Sequence, residues 1–319
     1  MQIGFVGLGK MGGNMALRLT QGSPDGKISG GHQVVGFAKD PNPELRGVPG
    51  ITTVDSLEKM VAQLAPPRVV WVMVPAGDAT EGVISNLANL LQPNDIIIDG
   101  GNSYYKDSVR REQGLAHRKI GFLDVGTSGG IWGRQEGYCM MIGGQQPYVH
   151  HCRPIFDTLA PPDGWIHAGP PGSGHFVKMV HNGIEYGLME AYAEGFEVLH
   201  KAPFPLKLAD IASVWNHGSV VRSWLLELSE RVFKQEDDLH SIEPYVVDSG
   251  EGQWTVQAAM EEAVPAPVIV AALFARYASR DPENFSARYT AALRNQFGGH
   301  SIKRVGEERI APTGEVKKG

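Results

Sequence analysis

The chain has 319 residues, of which 42% are apolar and 20% charged, proportions that are ordinary for a globular protein with a sizeable core. Its net charge of −6 argues against a general nucleic-acid-binding protein, because phosphate binding needs clustered lysine and arginine. No apolar run approaches the roughly 18 residues of a membrane span, and no signal peptide is predicted. Cys139 and Cys152 lie outside any CxxC pair and favour reduced thiols in a cytoplasm.

Short β-rich runs alternate with helical patterns in the first half of the chain. The predicted strands are residues 2–7, 32–38, 67–74, 95–100, 121–126 and 138–144. The predicted helices between and after them are residues 11–19, 56–64, 80–91, 103–119 and 146–160. Strands that alternate with helices in βα units indicate a parallel sheet covered on both faces. We therefore predict an α/β fold, a Rossmann-like doubly wound parallel sheet, in this half.

Helical patterns dominate from Gly174 onward and predict an all-α C-terminal half. They cover residues 174–201, 205–218, 221–235, 253–264, 266–280 and 286–297. The polar residues that follow, 301–319, predict a loosely ordered tail. We expect a dinucleotide-binding domain in residues 1–173 and a helical substrate and oligomerisation domain in residues 174–319.

Three glycines near the start of the chain, Gly7, Gly9 and Gly12, have GxGxxG spacing. The motif alone recurs by chance, but here it follows a predicted strand and opens a predicted helix, which is the context of a dinucleotide site. Glycines let the backbone approach a pyrophosphate closely, and the helix N-terminus offers it free N–H groups. A tight turn without a ligand is the alternative interpretation.

The choice of nicotinamide cofactor depends on the residues after the second strand. An NAD site usually places a carboxylate there for the ribose hydroxyls, whereas an NADP site places a cation for the 2′-phosphate. This chain has Lys39 followed by Asp40, so these residues by themselves leave both cofactors open.

The long helix that opens the second half carries an unusual set of polar residues. A rotation of about 100° per residue places Lys178, Asn182 and Glu185 on one side, flanked by His181 and Tyr186. The opposite side consists of Phe176, Val177, Val180, Ile184, Leu188 and Ala191. Lys178 and Glu185 are two turns, or about 10 Å, apart on one face, which suits proton transfers at two carbons of one small substrate. A solvated surface is the alternative.

Glycines and small residues accompany this polar stripe. Gly183, Gly187 and Gly195 lie in the same helix, where each costs about 1 kcal/mol relative to alanine. We therefore expect them to make room for a ligand such as a sugar and the nicotinamide. Two glycine-rich segments, DGGNS (99–103) and DVGTSGG (124–130), follow predicted strands, where open α/β sheets bind ligands. Ordinary turns would explain either segment alone.

Six stretches together resemble the 6-phosphogluconate dehydrogenases, and they span the chain. The most specific is GHFVKMVHNGIEYGLM, since related β-hydroxyacid dehydrogenases share the glycine motif and a lysine but not HNGIEY. The other five are GLGKMGGNMA, MVPAG, DGGNSYYKD, DVGTSGG and RNQFGGH. The resemblance implies metal-independent oxidative decarboxylation of 6-phosphogluconate to ribulose 5-phosphate and CO₂, with NAD or NADP, in the oxidative pentose phosphate pathway.

The resemblance also implies a role for each site residue. Lys178 takes the proton of the C3 hydroxyl and later polarises the C3 ketone, and Glu185 protonates C1 of the enediol after CO₂ has left. Asn182 holds the C3 hydroxyl, and His181 the sugar chain. The implied substrate contacts are Asn102, Ser128, Gly129, Gly130, Tyr186, Arg276, Arg294 and His300. The implied cofactor contacts are Gly7, Leu8, Gly9, Met11, Gly12, Lys39, Asp40, Val74, Pro75 and Asn102.

Some features depart from the long members of this family. Arg294 and His300 match a tail segment that reaches a neighbouring subunit's site, which implies a homo-oligomer, either a dimer or a tetramer. Long members insert a second helical half between the regions matching Arg276 and Arg294, so this chain resembles the short-chain branch. They also have a lysine and a threonine where this chain has Ser249 and Glu251. Short members often prefer NAD, which is therefore the expected cofactor, with NADP use allowed.

Two other functions remain open from the sequence. A β-hydroxyacid dehydrogenase acting on a smaller substrate would need no Arg276, Arg294 or His300. A cofactor-binding sensor without turnover would have no use for the paired proton-transfer groups Lys178 and Glu185. None of these functions involves nucleic acid or a membrane as a partner.

Overall fold

The computed structural model describes residues 1–39, 42–298 and 301–305, and of residues 297 and 298 it describes the backbone alone. Eight strands in this part of the chain form one sheet. They are β1 (Gln2–Val6), β2 (Gln33–Phe37), β3 (Ile51–Val54), β4 (Val69–Val72), β5 (Ile96–Asp99), β6 (Gly121–Ser128), β7 (Cys139–Gly144) and β8 (Trp165–Gly169).

Twelve α-helices occur among the described residues, and all of the last six follow β8. The first six are α1 (Lys10–Gln21), α2 (Leu57–Ala62), α3 (Asp78–Leu90), α4 (Tyr105–Ala116), α5 (Gly133–Glu136) and α6 (Gln146–Leu159). The last six are α7 (Ser173–His200), α8 (Leu208–Trp215), α9 (Trp224–Gln235), α10 (Glu251–Glu261), α11 (Pro267–Ser279) and α12 (Phe285–Gly298). None of these helices is long and apolar enough to cross a membrane.

The strands follow the order β3-β2-β1-β4-β5-β6-β7-β8, and β1 to β6 pair in parallel. Chain order reverses between β1 and β4, so the carboxyl ends of these two strands border the crevice in which such sheets bind ligands. The predicted Rossmann-like doubly wound sheet, followed by an all-helical half, is confirmed.

Three details of the predicted sheet are wrong. β7 is antiparallel to β6, with Ser128 opposite Cys139, because residues 129–138 are too few for a parallel crossover, which needs a dozen or more residues. β3 and β8 are missing from the sequence prediction. Both lie at the edges of the sheet and are partly exposed, so neither shows the continuous apolar run of a central strand.

Pairing with β7 also lengthens β6 beyond its predicted end. Most of the segment DVGTSGG therefore belongs to the strand, and only Gly129 and Gly130 follow it. Their φ angles of 120° and 52° lie in the region that favours glycine. The chain turns here, at the carboxyl end of β6, toward the helical half.

Two clusters of buried apolar side chains cover the two faces of the sheet. Alternate residues of one strand belong to different clusters, with Trp71 in the first and Val70 and Val72 in the second, because successive side chains point to opposite faces. Phe5 of β1 stacks on Trp71 with ring centres 6.1 Å apart. The sheet is therefore enclosed by helices on both sides, as the βα pattern predicts.

Helix α7 joins the sheet to the helical half. Its first turns lie so close to β6 that a Cβ at Gly126 would be 2.3 Å from the Cβ of Lys178. Its later turns pack against α8 and α9, and against α11. The residues of these two small clusters are Phe196 with Leu208, Ala212 and Leu226, and Tyr186 with Ala272 and Leu273.

Candidate active site

A buried carboxylate holds the N-terminus of α7 on the sheet. Asp124 of β6 accepts hydrogen bonds from the backbone N–H groups of Gly172, at 2.7 Å, and His175, at 2.9 Å. Burial raises the pKa of this carboxyl, and the two N–H groups act in the opposite direction. Acceptors are favourable at a helix N-terminus, where the first N–H groups lack partners. This cap fixes the rotation of α7 and hence the direction of Lys178.

Lys178 is 7% exposed and is held by its neighbours on α7. Its Nζ donates a hydrogen bond to Asn182 Oδ1 at 2.6 Å. His181 Nδ1 lies 3.5 Å from the same nitrogen and 3.1 Å from the same amide oxygen. Burial lowers the pKa of Lys178, and the charges of Glu185 and Glu251 oppose this shift. A lysine whose neutral form is favoured can accept a proton from a substrate.

The polar side of α7 faces a cleft of about 1010 Å³ between the sheet and the helical half. This volume suits a small-molecule site that also admits part of a cofactor. The predicted site residues in its lining are Met11, Asn102, Ser128, Gly129, Gly130, Lys178, His181, Asn182, Glu185, Tyr186 and Arg276. The structure therefore brings residues that are distant in sequence to one place.

Glu185 lies in the cleft with access to water. Its side chain is 39% exposed, and one carboxylate oxygen lies 3.9 Å from His181 Nδ1. A carboxyl group in this setting can exchange protons both with a bound substrate and with solvent. Within the described residues, no group of three His, Cys, Asp or Glu side chains is arranged to hold a metal ion.

A cation lies at another wall of the cleft. The guanidinium carbon of Arg276 is 3.5 Å from the centre of the Tyr186 ring, and Nη1 donates to the Val247 carbonyl at 3.0 Å. The Tyr186 hydroxyl donates to Asp248 Oδ1 at 3.1 Å. Stacking on the ring orients the guanidinium. The guanidinium has five N–H donors, of which the bond to Val247 uses one. The arrangement can hold an anionic group.

Gly183 and Gly187 of α7 do not make room for a ligand, contrary to the expectation from the sequence. A Cβ at Gly183 would lie 2.6 Å from Thr255 Cγ2, and one at Gly187 would lie 3.1 Å from Val268 Cγ1. These two glycines instead let α10 and α11 approach α7 closely. A Cβ at Gly195 would meet nothing within 4 Å, so packing within the chain does not explain that glycine.

The apolar side of α7 is largely exposed, whereas Lys178, Asn182 and Tyr186 on its polar side are buried. Ile184 is 54% exposed and Leu188 is 45% exposed. Val177 and Val198 continue the same exposed stripe toward the two ends of the helix. Val177, Ile184 and Leu188 also line the cleft, and a contiguous exposed apolar stripe marks either a ligand-binding groove or a surface that another chain covers.

Two parts of the cleft lining are not predicted from the sequence. Helix α9 contributes Trp224, Leu225 and Leu228, which carry no recognisable motif. Ser249 and Glu251 differ from the family pattern, but the sequence does not indicate that Glu251 is almost completely buried in the cleft. Only the folding of α9 and α10 around α7 brings these residues to the site.

The glycine motif forms a compact turn between β1 and α1. Gly7 has a φ of 94°, and a Cβ there would lie 2.2 Å from the Met73 carbonyl oxygen. A Cβ at Gly12 would lie 1.9 Å from the Gly7 carbonyl oxygen, whereas one at Gly9 would meet nothing within 4 Å. Gly7 and Gly12 are therefore needed by the turn itself, and Gly9 leaves backbone open for a ligand, which fits a dinucleotide pyrophosphate.

Other predicted cofactor residues border this turn. Val74 Cγ1 would lie 3.0 Å from a Cβ at Gly7, and Pro75 follows it at the carboxyl end of β4. Leu8 is fully buried beneath the turn. Met11 and Asn102 line the large cleft, so the cofactor turn and the polar side of α7 border one continuous region.

Lys39 lines a second cavity, of about 680 Å³, at the carboxyl ends of β2 and β3. Lys59 and Asp55 line it as well, and their charged atoms are 2.8 Å apart. This is the position at which Rossmann-like sheets bind the adenosine ribose. Asp40, the other predicted ribose contact, lies outside the described residues.

Two family models together match most of the chain. Residues 2–169 match the NAD binding domain of 6-phosphogluconate dehydrogenase, and residues 174–287 match the C-terminal domain of 6-phosphogluconate dehydrogenase. The chain belongs to the 6-phosphogluconate dehydrogenase family. The family resemblance predicted from the sequence motifs is therefore confirmed.

Members of the family are similar to this chain over different shares of their length. The YqeC protein of Bacillus subtilis is 43% identical over 95% of this chain and 100% of its own length. The NAD(+)-dependent, decarboxylating 6-phosphogluconate dehydrogenase of Haloferax volcanii is 41% identical over 95% of this chain and 99% of its own. The Plasmodium falciparum 6-phosphogluconate dehydrogenase, solved with NADP⁺ and with 6-phosphogluconate, has a TM-score of 0.76 at 28% identity. The match covers 97% of this chain but 67% of the Plasmodium chain.

One of the two tail residues predicted from the family, Arg294, is not among the residues that line the cleft described above. Arg294 lies on α12, where its side chain is exposed. His300 lies outside the described residues. The apolar residues Phe285, Tyr289 and Leu293 of α12 are also largely exposed. Within one chain, therefore, Arg276 is the predicted phosphate-binding arginine that reaches the cleft.

Proposed function

We propose that this chain catalyses the oxidative decarboxylation of 6-phosphogluconate to ribulose 5-phosphate and CO₂, with reduction of NAD⁺ or NADP⁺. The observation that carries the proposal is the buried Lys178, hydrogen-bonded to Asn182 in a cleft that also contains Glu185 and Arg276. Membership of the family supports the same reaction, as do the activity and ligands named for the Haloferax and Plasmodium relatives.

Lys178 is the general base in this reaction. Its nitrogen is available to take the proton of the C3 hydroxyl because burial lowers its pKa. Asn182, which contacts Lys178 Nζ, holds the C3 hydroxyl within hydrogen-bond distance of this nitrogen. Bound NAD(P)⁺ accepts the hydride that leaves C3. Protonated Lys178 then donates a hydrogen bond to the new C3 ketone oxygen, which draws the electrons of the C1–C2 bond toward C3 as C1 departs as CO₂.

Glu185 is the general acid that completes the reaction. After CO₂ has left, C2 of the substrate, which becomes C1 of ribulose 5-phosphate, carries the electron pair of the broken bond, and Glu185 supplies the proton that converts the enediol to the ketose. His181, between Lys178 and Glu185, contacts the sugar chain. The exposure of Glu185 lets it regain a proton from solvent before the next turnover.

Arg276 and Tyr186 bind the phosphate of the substrate, and the segment after β6 binds its carboxylate end. The guanidinium is oriented by the Tyr186 ring and carries donors for phosphate oxygens. At the other end, Ser128, Gly129 and Gly130 offer a hydroxyl and backbone N–H groups beside Asn102. With its phosphate at Arg276 and its carboxylate at this segment, the substrate has its reacting carbons next to Lys178.

NAD is the preferred cofactor, with NADP also used. Gly7, Leu8, Gly9, Met11 and Gly12, together with Val74 and Pro75, hold the dinucleotide at the turn between β1 and α1. The naming of the Haloferax relative as NAD(+)-dependent supports this preference, and we assign Asp40 to the ribose hydroxyls of NAD. Lys39, with Lys59 beside it, accommodates the 2′-phosphate of NADP.

The functional protein is a homo-oligomer, either a dimer or a tetramer, and Arg294 and His300 complete the phosphate site of a neighbouring subunit. The exposed apolar residues of α12 support this arrangement, because they lie outside the cleft and need a partner to leave water. We also propose a domain boundary between residues 173 and 174, at the start of α7. A cytoplasmic location is supported by the two free cysteines, Cys139 and Cys152.

The proposal is tested by measuring reduction of NAD⁺ and of NADP⁺ in separate assays with 6-phosphogluconate, while released CO₂ is followed in parallel. One CO₂ per reduced nucleotide is expected, with a higher kcat/KM for NAD⁺. Nucleotide reduction without CO₂, or no reduction with either cofactor, would contradict the proposal.

Replacing Glu185 by glutamine separates the two chemical steps. Hydride transfer in the first turnover should be largely retained, whereas steady-state turnover should fall by about 10²-fold, the typical contribution of a positioned acid. Rapid-mixing measurements of nucleotide reduction and of solvent deuterium incorporation at C1 of ribulose 5-phosphate distinguish the steps. Glu194→Gln, an exposed position on the same helix, is the matched control. Normal deuterium incorporation in Glu185→Gln would exclude Glu185 as the acid.

A further inference from the structure

Glu251 is a buried carboxylate that the mechanism above does not use. It is the first residue of α10, is 3% exposed and lines the same cleft as Lys178 and Asn182. Acidic side chains are almost never buried to this extent unless their oxygens are bonded. Its placement therefore needs a reason beyond the general preference for acidic residues in the first turn of a helix.

The carboxylate is held in a defined position. The Ser249 hydroxyl donates a hydrogen bond to Glu251 Oε2 at 2.6 Å. α10 is itself tied to α7, since Thr255 Oγ1 donates to the Met179 carbonyl at 2.8 Å and a Cβ at Gly252 would lie 2.4 Å from the Tyr186 ring. Glu251 thus faces the cleft from a wall that is fixed relative to the catalytic lysine.

A carboxylate has about four acceptor positions, and Ser249 occupies one of them. Among the described side chains, Ser249 is the donor bonded to Glu251. A ligand that satisfies the other positions must bring hydrogen-bond donors. Hydroxyl groups on successive carbons of a sugar acid are such donors, whereas a phosphate dianion offers none and would be repelled by a buried negative charge.

We propose that Glu251 is a substrate-binding residue, which accepts hydrogen bonds from hydroxyl groups of the sugar-acid carbon chain. This inference rests on the proposed function for the identity of the substrate. It assigns the phosphate to Arg276 and Tyr186 and the carbon chain to the adjacent wall at Ser249 and Glu251, next to which Gly252 packs against the Tyr186 ring. Glu251 thereby selects ligands by their hydroxyl groups, at positions where long family members have a lysine and a threonine.

The negative charge of Glu251 acts on Lys178 as well. It raises the pKa of this lysine against the larger effect of burial. The same carboxylate therefore stabilises the protonated lysine that forms after the hydroxyl proton has been transferred. Binding of substrate hydroxyls to Glu251 would bring the carbon chain beside this nitrogen.

The test compares Glu251→Gln with the full-length parent protein by titration calorimetry. The ligands are 6-phosphogluconate, D-gluconate, which has the hydroxyls but no phosphate, and inorganic phosphate. The Kd of the first two should rise by roughly 5- to 10-fold, because a neutral acceptor is about half as strong as a charged one. The Kd of inorganic phosphate should not rise. Glu262→Gln, an exposed position at the other end of α10, is the matched control.

Two results would overturn this assignment. Tighter binding of inorganic phosphate and of 6-phosphogluconate by Glu251→Gln would mean that the carboxylate faces the phosphate. Unchanged Kd values for all three ligands, with or without a lower melting temperature, would mean that Glu251 serves only the helix. Because binding is measured without turnover, gluconate results remain interpretable even if no CO₂ is released and the proposed reaction fails.

Discussion

Turnover of 6-phosphogluconate is expected to fall by about 10³-fold when Lys178 is replaced by methionine, within the range that general base catalysis contributes. Methionine keeps the length of the stem that packs near Gly126 but removes the nitrogen that accepts the proton. Steady-state nucleotide reduction measures the loss. Cofactor affinity, measured by calorimetry, should be unchanged, because the glycine motif lies on a different element.

The pH dependence of the parent protein provides a second test of this lysine. The base must be unprotonated, so kcat/KM should fall as the pH drops through the pKa of Lys178, which burial places below its ordinary value of 10.5. The residual activity of Lys178→Met should lack this fall. Lys201→Met, at the exposed end of α7, serves as the control. Lys178→Met turnover within tenfold of the parent would exclude the proposed base.

Replacing Gly12 by alanine should damage both the fold and the cofactor site. The added Cβ would lie 1.9 Å from the Gly7 carbonyl oxygen and 2.9 Å from the Phe5 ring. Backbone cannot move as a flexible side chain does, so the free energy of unfolding should fall by about 3 kcal/mol, at the upper end of ordinary overpacking. Chemical denaturation measures this loss, and the Kd of NAD⁺ should rise at the same time.

Gly9→Ala is the matched control, since a Cβ there meets nothing within 4 Å. Its free energy of unfolding should remain within about 0.5 kcal/mol of the parent, as for a substitution without strain or new contacts. Its affinity for NAD⁺ should nevertheless fall, because the methyl group would occupy the path of the pyrophosphate. Normal NAD⁺ binding by Gly9→Ala would show that the dinucleotide does not approach this glycine.

The general architecture could be predicted from local sequence patterns. Strands of the central sheet are apolar runs, and the turn at Gly7 must have a positive φ, so both are visible in the sequence. The two edge strands were harder to predict, because their side chains are partly exposed and lack this pattern. The direction of β7 depends on how few residues connect it to β6, a constraint that the apolar pattern does not contain.

The polar stripe of α7 shows where sequence reasoning works and where it stops. Helical periodicity correctly groups Lys178, Asn182 and Glu185, and all three line one cleft. Periodicity does not indicate which side of the helix is buried, and here the apolar side is the exposed one. The sequence cannot show that Thr255, from a distant helix, occupies the space beside Gly183. It therefore does not distinguish a glycine that makes room for a ligand from one that makes room for a neighbouring helix.

The sequence by itself determined the Rossmann-like sheet, the glycine turn and the set of ionisable groups on α7, because each depends on residues close together in the chain. Only the tertiary structure decided that Lys178 is buried, that Asp124 orients its helix and that Glu251 lies in the same cleft. The physical reason is that burial and a lowered lysine pKa arise from desolvation by several elements at once. Periodicity along one helix contains no information about the elements that remove water from it.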